Sequence, residues 1–284
     1  MGRRTLLMGV VNITSDSFSD GGLYFEPNRA IEHALSLLDE GADILDLGAE
    51  STRPGSHAGD PETAAVSADE EQARLLPVLE GVLRERPDAV ISVDTYKAAT
   101  ARVAVNAGAE IVNDVSGFTW DRAMAGVCAE ARCGVVLMHT RGMPDEWRAQ
   151  SRLGGDALVA MVHNGLSASL RAALDAGIAE KALVLDPGYG FGKRLDENYA
   201  LLARQAELLS LGRPLVAGLS RKSFLSRTIA AGQAARQSET EAIETASAAA
   251  LVTAILHGAS IVRVHQVQAA VTAAAIADAV LSAQ

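Results

Sequence analysis

Eight short apolar runs recur along the chain, and their spacing constrains the fold more than any other feature. They read TLLMGVVN, DILDLGAE, VISVDT, EIVNDVS, GVVLMH, ALVLDPG, PLVAGLS and IVRVHQV. Each is nearly continuous in Val, Ile and Leu, the pattern of a parallel sheet covered on its helix side. Stretches of helical period lie between them, for instance NRAIEHALSLLDEGA and DEEQARLLPVLEGVLRER. Glycines in DEGADI, NAGAEI and DAGIAE stand where helices would stop before the next strand. Eight strand–helix units in 284 residues, about 35 residues each, fit an α/β protein of the (β/α)8 TIM-barrel type. An open doubly wound sheet is the competing arrangement. No Pro- or Ser-rich linker interrupts the rhythm, so residues 1–284 read as one domain. Two connections are long, TSDSFSDGGLYFEPN after strand 1 and GSHAGDPETAAVSADEE after strand 2, and are expected to be mobile loops.

Composition narrows the function classes. A net charge of −10 argues against a general nucleic-acid surface, so an anionic ligand must be met by a local basic cluster. Cys128 and Cys133 lack companion ligands at metal-binding spacing and are expected to be reduced, as in a cytoplasmic protein. The N-terminal apolar run reads as a strand, not a signal peptide, and the C-terminal AAVTAAAIADAVL is too short to span a bilayer. A soluble cytoplasmic protein is expected.

The strand ends carry the chemistry. They present Asn12; Glu50, Ser51, Thr52 and Arg53; Asp94; Asn113 and Asp114; His139; Asp186; Ser220, Arg221 and Lys222; and Arg263 with His265. One Asp or Asn after a strand is most often a turn former or helix cap. All eight strands ending in polar groups, three of them with Lys or Arg, exceed what capping explains. In a barrel these ends share one mouth. Arg53, Lys222, Arg263 and His265 read as a cationic side suited to phosphate or carboxylate. Asp94, Asn113 and Asp186 read as an opposing side that accepts hydrogen bonds from an amino-substituted heterocycle. Asn12 is a hard oxygen donor that suits Mg2+. DPGYGFGKRL matches neither a Walker loop nor G-x-G-x-x-G, because Arg194 stands where Ser or Thr is needed, and it reads as a flexible turn. His139 reads as structural, Trp120 and Trp147 as packing or rim residues, and His33, His57, His163 and His257 receive no role.

The combination of MGVVNITSDSFSDGG, GAESTRPG, SVDTYKAA, VNDVSG, LDPGYGFGK, GLSRKSF and RVHQV, in that order, resembles the dihydropteroate synthases, which are pterin-binding enzymes. The resemblance covers essentially the whole chain. It implies a transferase of folate biosynthesis that joins 4-aminobenzoate to (7,8-dihydropterin-6-yl)methyl diphosphate and is inhibited by sulfonamides. Carried over to this chain, it implies that Asp94, Asn113, Asp186 and Lys222 hold the pterin. Arg263, His265 and Thr52 would lie on or near the phosphates, and Asn12 on Mg2+. Thr52, Arg53, Pro54, Phe191 and Ser220 would form the 4-aminobenzoate pocket. Lys222, Arg263, His265 and Asp94 are the expected catalytic residues. A homodimer through the late helices ETASAAALVTAILHG and AAVTAAAIADAVL is also implied.

The chain departs from the family pattern at Ala49, Ser15 and Gln266, none of them an expected ligand. Its second loop, between Gly55 and Val66, looks longer than usual by about seven residues. Two other readings compete. A methyltetrahydrofolate methyltransferase barrel carries Asn where SRKSF places Arg221 and lacks S-T-R-P-G. A pterin-binding paralogue without catalysis would be expected to lose Lys222 or loop residues, and none is lost.

Overall fold

A computed structural model describes residues 4–13, 27–52, 56, 58–59, 66–231 and 238–283. Eight parallel strands close into a barrel in sequence order. They are β1 (Leu6–Asn12), β2 (Ile44–Gly48), β3 (Ile91–Asp94), β4 (Ile111–Asp114), β5 (Gly134–Met138), β6 (Leu183–Asp186), β7 (Leu215–Ala217) and β8 (Ala259–Val264). Each coincides with one of the apolar runs.

Outside the barrel lie α1 (Pro27–Asp39), α2 (Ala68–Glu85), α3 (Ala98–Asn106), α4 (Met124–Ala131), α5 (Gly155–Asp175), α6 (Leu195–Ala203), α7 (Ser223–Ala231), α8 (Glu239–Leu256) and α9 (Val267–Ser282). The sequence rhythm anticipates one helix per strand, but β7 is followed by two, α7 and α8. Local chemistry starts these helices. The Ser67 hydroxyl accepts from the Glu70 N–H at the head of α2, and Ser238 and Glu241 form a reciprocal capping box at the head of α8. Gly41, Gly108 and Gly177, the expected stops, fall just past α1, α3 and α5.

Strand alternation sorts the core into two compartments. Leu7 and Val11 of β1 face the helices, with Leu45, Leu47, Val93, Val112 and Leu137. Met8 faces the barrel axis with Ile44, Val136, Val216 and Ile261, closing the barrel floor with apolar packing. Above that floor the same inward parity turns polar. Residues two steps further along these strands are Asp46, Ser92, Asn113 and Arg263, and after them come Asn12, Asp94 and Asp186. The register places Asn12 beside Gly48, Gly48 beside Asp94, and Asp94 beside Asn113. Residues separated by as many as a hundred positions therefore share one ring at the mouth.

Candidate active site

A buried carboxylate organises the floor of the mouth. Asp46 is fully buried, and three donors converge on it: Ser92 Oγ at 2.6 Å, Asn113 Nδ2 at 3.1 Å and Arg263 Nε at 2.5 Å. An unpaired charge at this depth would cost several kcal/mol, so the sequence can keep Asp46 only by supplying these partners. Arg263 also donates through Nη2 to Asp94 at 2.7 Å. Burial pushes the Asp94 carboxyl up to about 7, opposed by the Arg263 guanidinium and reinforced by Asp46. The Asp94 side chain still keeps 15% of its surface exposed, so it remains open to a ligand.

The opposite wall carries Asp186 and Lys222. One Asp186 oxygen accepts from the Gly188 N–H at 2.7 Å, and burial raises its pKa. Lys222 Nζ lies 4.2 Å from the centre of the Phe191 ring. Burial and the neighbouring Arg263 push Lys222 down to about 8, against the pull of Asp186 and Asp94. Ser220 Oγ lies 3.0 Å from His265 Nδ1 and accepts from the His265 backbone N–H at 3.3 Å, joining the ends of β7 and β8. Apolar side chains from Val115, Met138 and Phe191 complete a hydrophobic surface beside these polar groups. The mouth thus offers hydrogen-bond acceptors, two cations and an apolar wall, a set suited to a flat polar heterocycle carrying an anion.

The structure brings together Asp94, Asn113, Asp186, Phe191, Ser220, Lys222, Arg263 and His265. Thr52 is half-buried just past β2, and Asn12 is half-buried with the inward parity of Met8. Arg53 and Pro54 lie outside the described residues.

Three expectations change. The separation into a cationic and an acceptor side does not hold, because Arg263 bridges Asp46 and Asp94. The buried carboxylates need that guanidinium at their centre.

Not every strand end faces the mouth: His139 turns away from it, in keeping with its structural reading. It has the outward parity of Leu137, its ring abuts Gly165 of α5, and burial holds its pKa well below the usual histidine range. Asp114 likewise faces outward and forms a turn, accepting from Ser116 N and Phe118 N at 2.8 Å each.

DPGYGFGKRL is an ordered brace and not a flexible turn. Lys193 is buried there, and its ammonium donates to the carbonyls of Gly188, His139 and Phe191 at 2.7, 3.1 and 3.2 Å. Burial lowers its pKa to about 7, yet three acceptors match its three N–H bonds. A Cβ on Gly188 would sit 2.0 Å from the His139 carbonyl oxygen, so this crossing requires glycine.

The expectation of mobility falls on loops that lie largely outside the described residues, and the loop after β1, residues 14–26, lies wholly outside them. Most of residues 56–65 fall outside the described residues, but Ala58 is buried and Gly59 packs on Trp120.

Sequence reading also passed over Asp46, Glu71, Tyr96 and Lys97. A usable signal existed for Asp46, since it is a carboxylate flanked on both sides by leucine in the middle of an apolar strand run. Glu71 sits on a helix whose early turns are acidic throughout, and nothing in the sequence separates it from its solvated neighbours.

Among the described residues, no three His, Cys, Asp or Glu side chains cluster to hold a metal ion. Asn12 supplies one hard oxygen. That donor set fits Mg2+ brought in on substrate phosphates and completed by water, the usual habit of this ion.

The profile of the pterin-binding enzymes matches residues 8–265. Dihydropteroate synthase of Mycobacterium leprae is 42% identical over 277 residues, spanning 98% of this chain and 94% of that protein. The crystal structure of the Yersinia pestis dihydropteroate synthase with a sulfonamide drug superposes with a TM-score of 0.86 at 37% identity, covering 99% of this chain and 95% of that one. The Xanthomonas albilineans dihydropteroate synthase with 4-aminobenzoic acid gives a TM-score of 0.85 at 39% identity, covering 98% and 94%.

Proposed function

The chain belongs to the dihydropteroate synthases among the pterin-binding enzymes, and from that premise we propose how its own residues carry out the reaction. The enzyme condenses 4-aminobenzoate with (7,8-dihydropterin-6-yl)methyl diphosphate, giving 7,8-dihydropteroate and diphosphate. The bond from the methylene carbon to the diphosphate oxygen breaks, and its electron pair leaves with diphosphate. The arylamine lone pair forms the new C–N bond, and the amine releases a proton to solvent.

The observation that carries this reading is the meeting of Asp94, Asn113 and Asp186 with Lys222 and Arg263 in one mouth. The two carboxylates accept from the amino and ring N–H groups of the pterin. Asn113 is held by Asp46, which fixes the orientation of its amide and leaves its oxygen for the ligand. Lys222 stands over the same plane with Phe191 behind it. Arg263 spends two of its five N–H bonds on Asp46 and Asp94, and the remaining ones serve the leaving group with His265. Preorganised charge at a departing diphosphate is the main work, because an arylamine is neutral near pH 7 and needs no strong base. Mg2+ on the diphosphate, held in part by Asn12, would neutralise charge and improve the leaving group. Thr52, Arg53, Pro54 and Ser220 flank the 4-aminobenzoate, and sulfonamides compete there.

Diphosphate release on mixing the two substrates with Mg2+ tests the reading. A methyltransferase or a non-catalytic pterin binder would release none.

Five large apolar side chains stay exposed on the late helices: Leu256 at the end of α8, and Val271, Ile276, Val280 and Leu281 on α9. Ile276 and Val280, one turn apart on α9, form an exposed apolar patch that supports a homodimer, and sedimentation of the purified chain reads its mass. No helix among the described residues is long and apolar enough to cross a membrane. Cys128 and Cys133 are both buried and unpaired, which supports a cytoplasmic setting.

A further inference from the structure

Tyr96 and Lys97, two of the three residues between β3 and the start of α3, have no part in the reaction and hold the second loop at two points. The first is its stem. Lys97 Nζ is ion-paired with Glu50, which stands two residues past the end of β2 and two before Thr52. The same ammonium reaches Glu71 of α2 at 3.3 Å. The Glu50 side chain is 7% exposed and that of Glu71 only 1%, so this triad is shielded from water and its pairing is strong. Thr95 and Thr100 add hydroxyl bonds to Glu71, at 3.2 and 2.6 Å. The Tyr96 hydroxyl donates to the other Glu50 oxygen at 3.2 Å.

The second point lies further along the loop. Tyr96 and Trp120 meet edge to face, with ring centres 5.1 Å apart. Ala58 is buried in the same apolar cluster as Tyr96 and Trp120. Gly59 has φ +85°, and a Cβ there would lie 2.9 Å from the Trp120 ring. Only glycine suits both the backbone conformation and the contact.

We propose that Tyr96, Lys97 and Trp120 form a seat for the second loop, acting as positioning residues that set the 4-aminobenzoate site from outside it. The segment from Glu50 to Gly59 contains Thr52, Arg53 and Pro54, and both of its held ends rest on this seat. Of the pterin groups, Asp94, Asn113 and Asp186 stand on the strands and Lys222 just before α7, and no hydrogen bond among the described residues ties their side chains to Tyr96, Lys97 or Trp120. Loss of the seat therefore frees the arylamine loop selectively, and the arylamine must then supply the ordering free energy on binding. The inference rests on the dihydropteroate synthase reading for its kinetic consequence, while its structural consequence can be read without turnover.

The test compares wild type, Lys97→Met, Lys97→Arg and Gly59→Val. In Lys97→Met the Michaelis constant for 4-aminobenzoate should rise about tenfold, equivalent to about 1.4 kcal/mol, with calorimetric affinity for a pterin lacking diphosphate kept within about twofold. Lys97→Arg should recover most of the loss, since it restores the charge between two carboxylates. Gly59→Val, strained at its own backbone and against Trp120 but outside the barrel core, should raise the same constant by about fivefold while lowering the melting temperature by no more than about 8 °C. Hydrogen exchange of the peptide spanning Glu50 to Gly59 should speed up in Lys97→Met and Gly59→Val. Unchanged exchange there would overturn the seat, whatever the activity. Equal losses toward pterin and 4-aminobenzoate, or no rescue by Arg, would reduce Lys97 to a general structural role and overturn the positioning. Wild-type protein that formed no dihydropteroate would sink the functional reading and leave the exchange result to judge the seat.

Discussion

Arg263 of the last strand donates to Asp94 of the third at 2.7 Å, across the barrel mouth. Asp46 holds the same guanidinium from below at 2.5 Å. The pterin-facing carboxylate is thus fixed by a cation whose own orientation is set one layer deeper. Asp46→Ala should consequently cost about 3–5 kcal/mol of stability, because it leaves Arg263 half-paired in a buried setting. Denaturant unfolding measures this, and a loss below about 1 kcal/mol would show that the pair contributes little.

Asp94→Asn and Asp186→Asn should each weaken pterin binding by about 1.5–3 kcal/mol, the value of a hydrogen bond to a charged acceptor. Calorimetry with a pterin that lacks diphosphate reads this directly. Unchanged affinity in both variants would remove these residues from the pterin site.

Pterin affinity should peak in a narrow pH window. Asp94 accepts only as the carboxylate, and its raised value of about 7 means the carboxylate is lost as pH falls through 7. Lys222 acts as the ammonium, and its lowered value of about 8 means the charge is lost as pH rises through 8. Affinity should therefore fall on both flanks, by up to about tenfold per pH unit once past each value. Binding that stays flat from pH 6 to 9 would contradict this pairing of roles.

His265→Ala should depress turnover more than it depresses binding of the truncated pterin, since the lost group faces the leaving group, whereas Arg263→Ala also unpairs Asp46 and Asp94 and should depress both. For a charge-assisted contact the expected loss in turnover is about 10- to 100-fold. If the truncated pterin loses affinity in His265→Ala as strongly as the diphosphate substrate does, His265 serves the ring and not the phosphates.

Lys193→Met keeps the length of the side chain but leaves three carbonyl oxygens without their donor. It should lower stability by about 2–4 kcal/mol and loosen the turn that carries Phe191. Thermal unfolding together with the Michaelis constant for 4-aminobenzoate would show both effects. A variant as stable as wild type would mean that water replaces the ammonium.

The barrel could be read from the order of residues because its information is local and repeated. Eight apolar runs, helical stretches between them and glycines such as Gly108 just past the helices each report on a window of a few residues, and they agree. The mouth residues were legible for a related reason. In a parallel barrel every strand ends on the same face, so Asp94, Asn113, Asp186, Lys222 and Arg263 are gathered by topology alone. Parity along the strand, also local, separates Asn113 from the outward Asp114 and moves His139 to the helix side. What the linear order leaves open is pairing between elements. Whether Arg263 meets a phosphate or a carboxylate depends on where Asp46 lies relative to β8, 217 positions away along the chain. Likewise Lys97 could have been a solvated lysine at a helix start, and Glu71 one more acid in the first turns of α2. Their burial against Glu50 and Tyr96 follows from the way α2 and α3 pack beside β2 and β3. Electrostatic energies depend on distance and on exclusion of water, and neither exists until the chain has closed on itself.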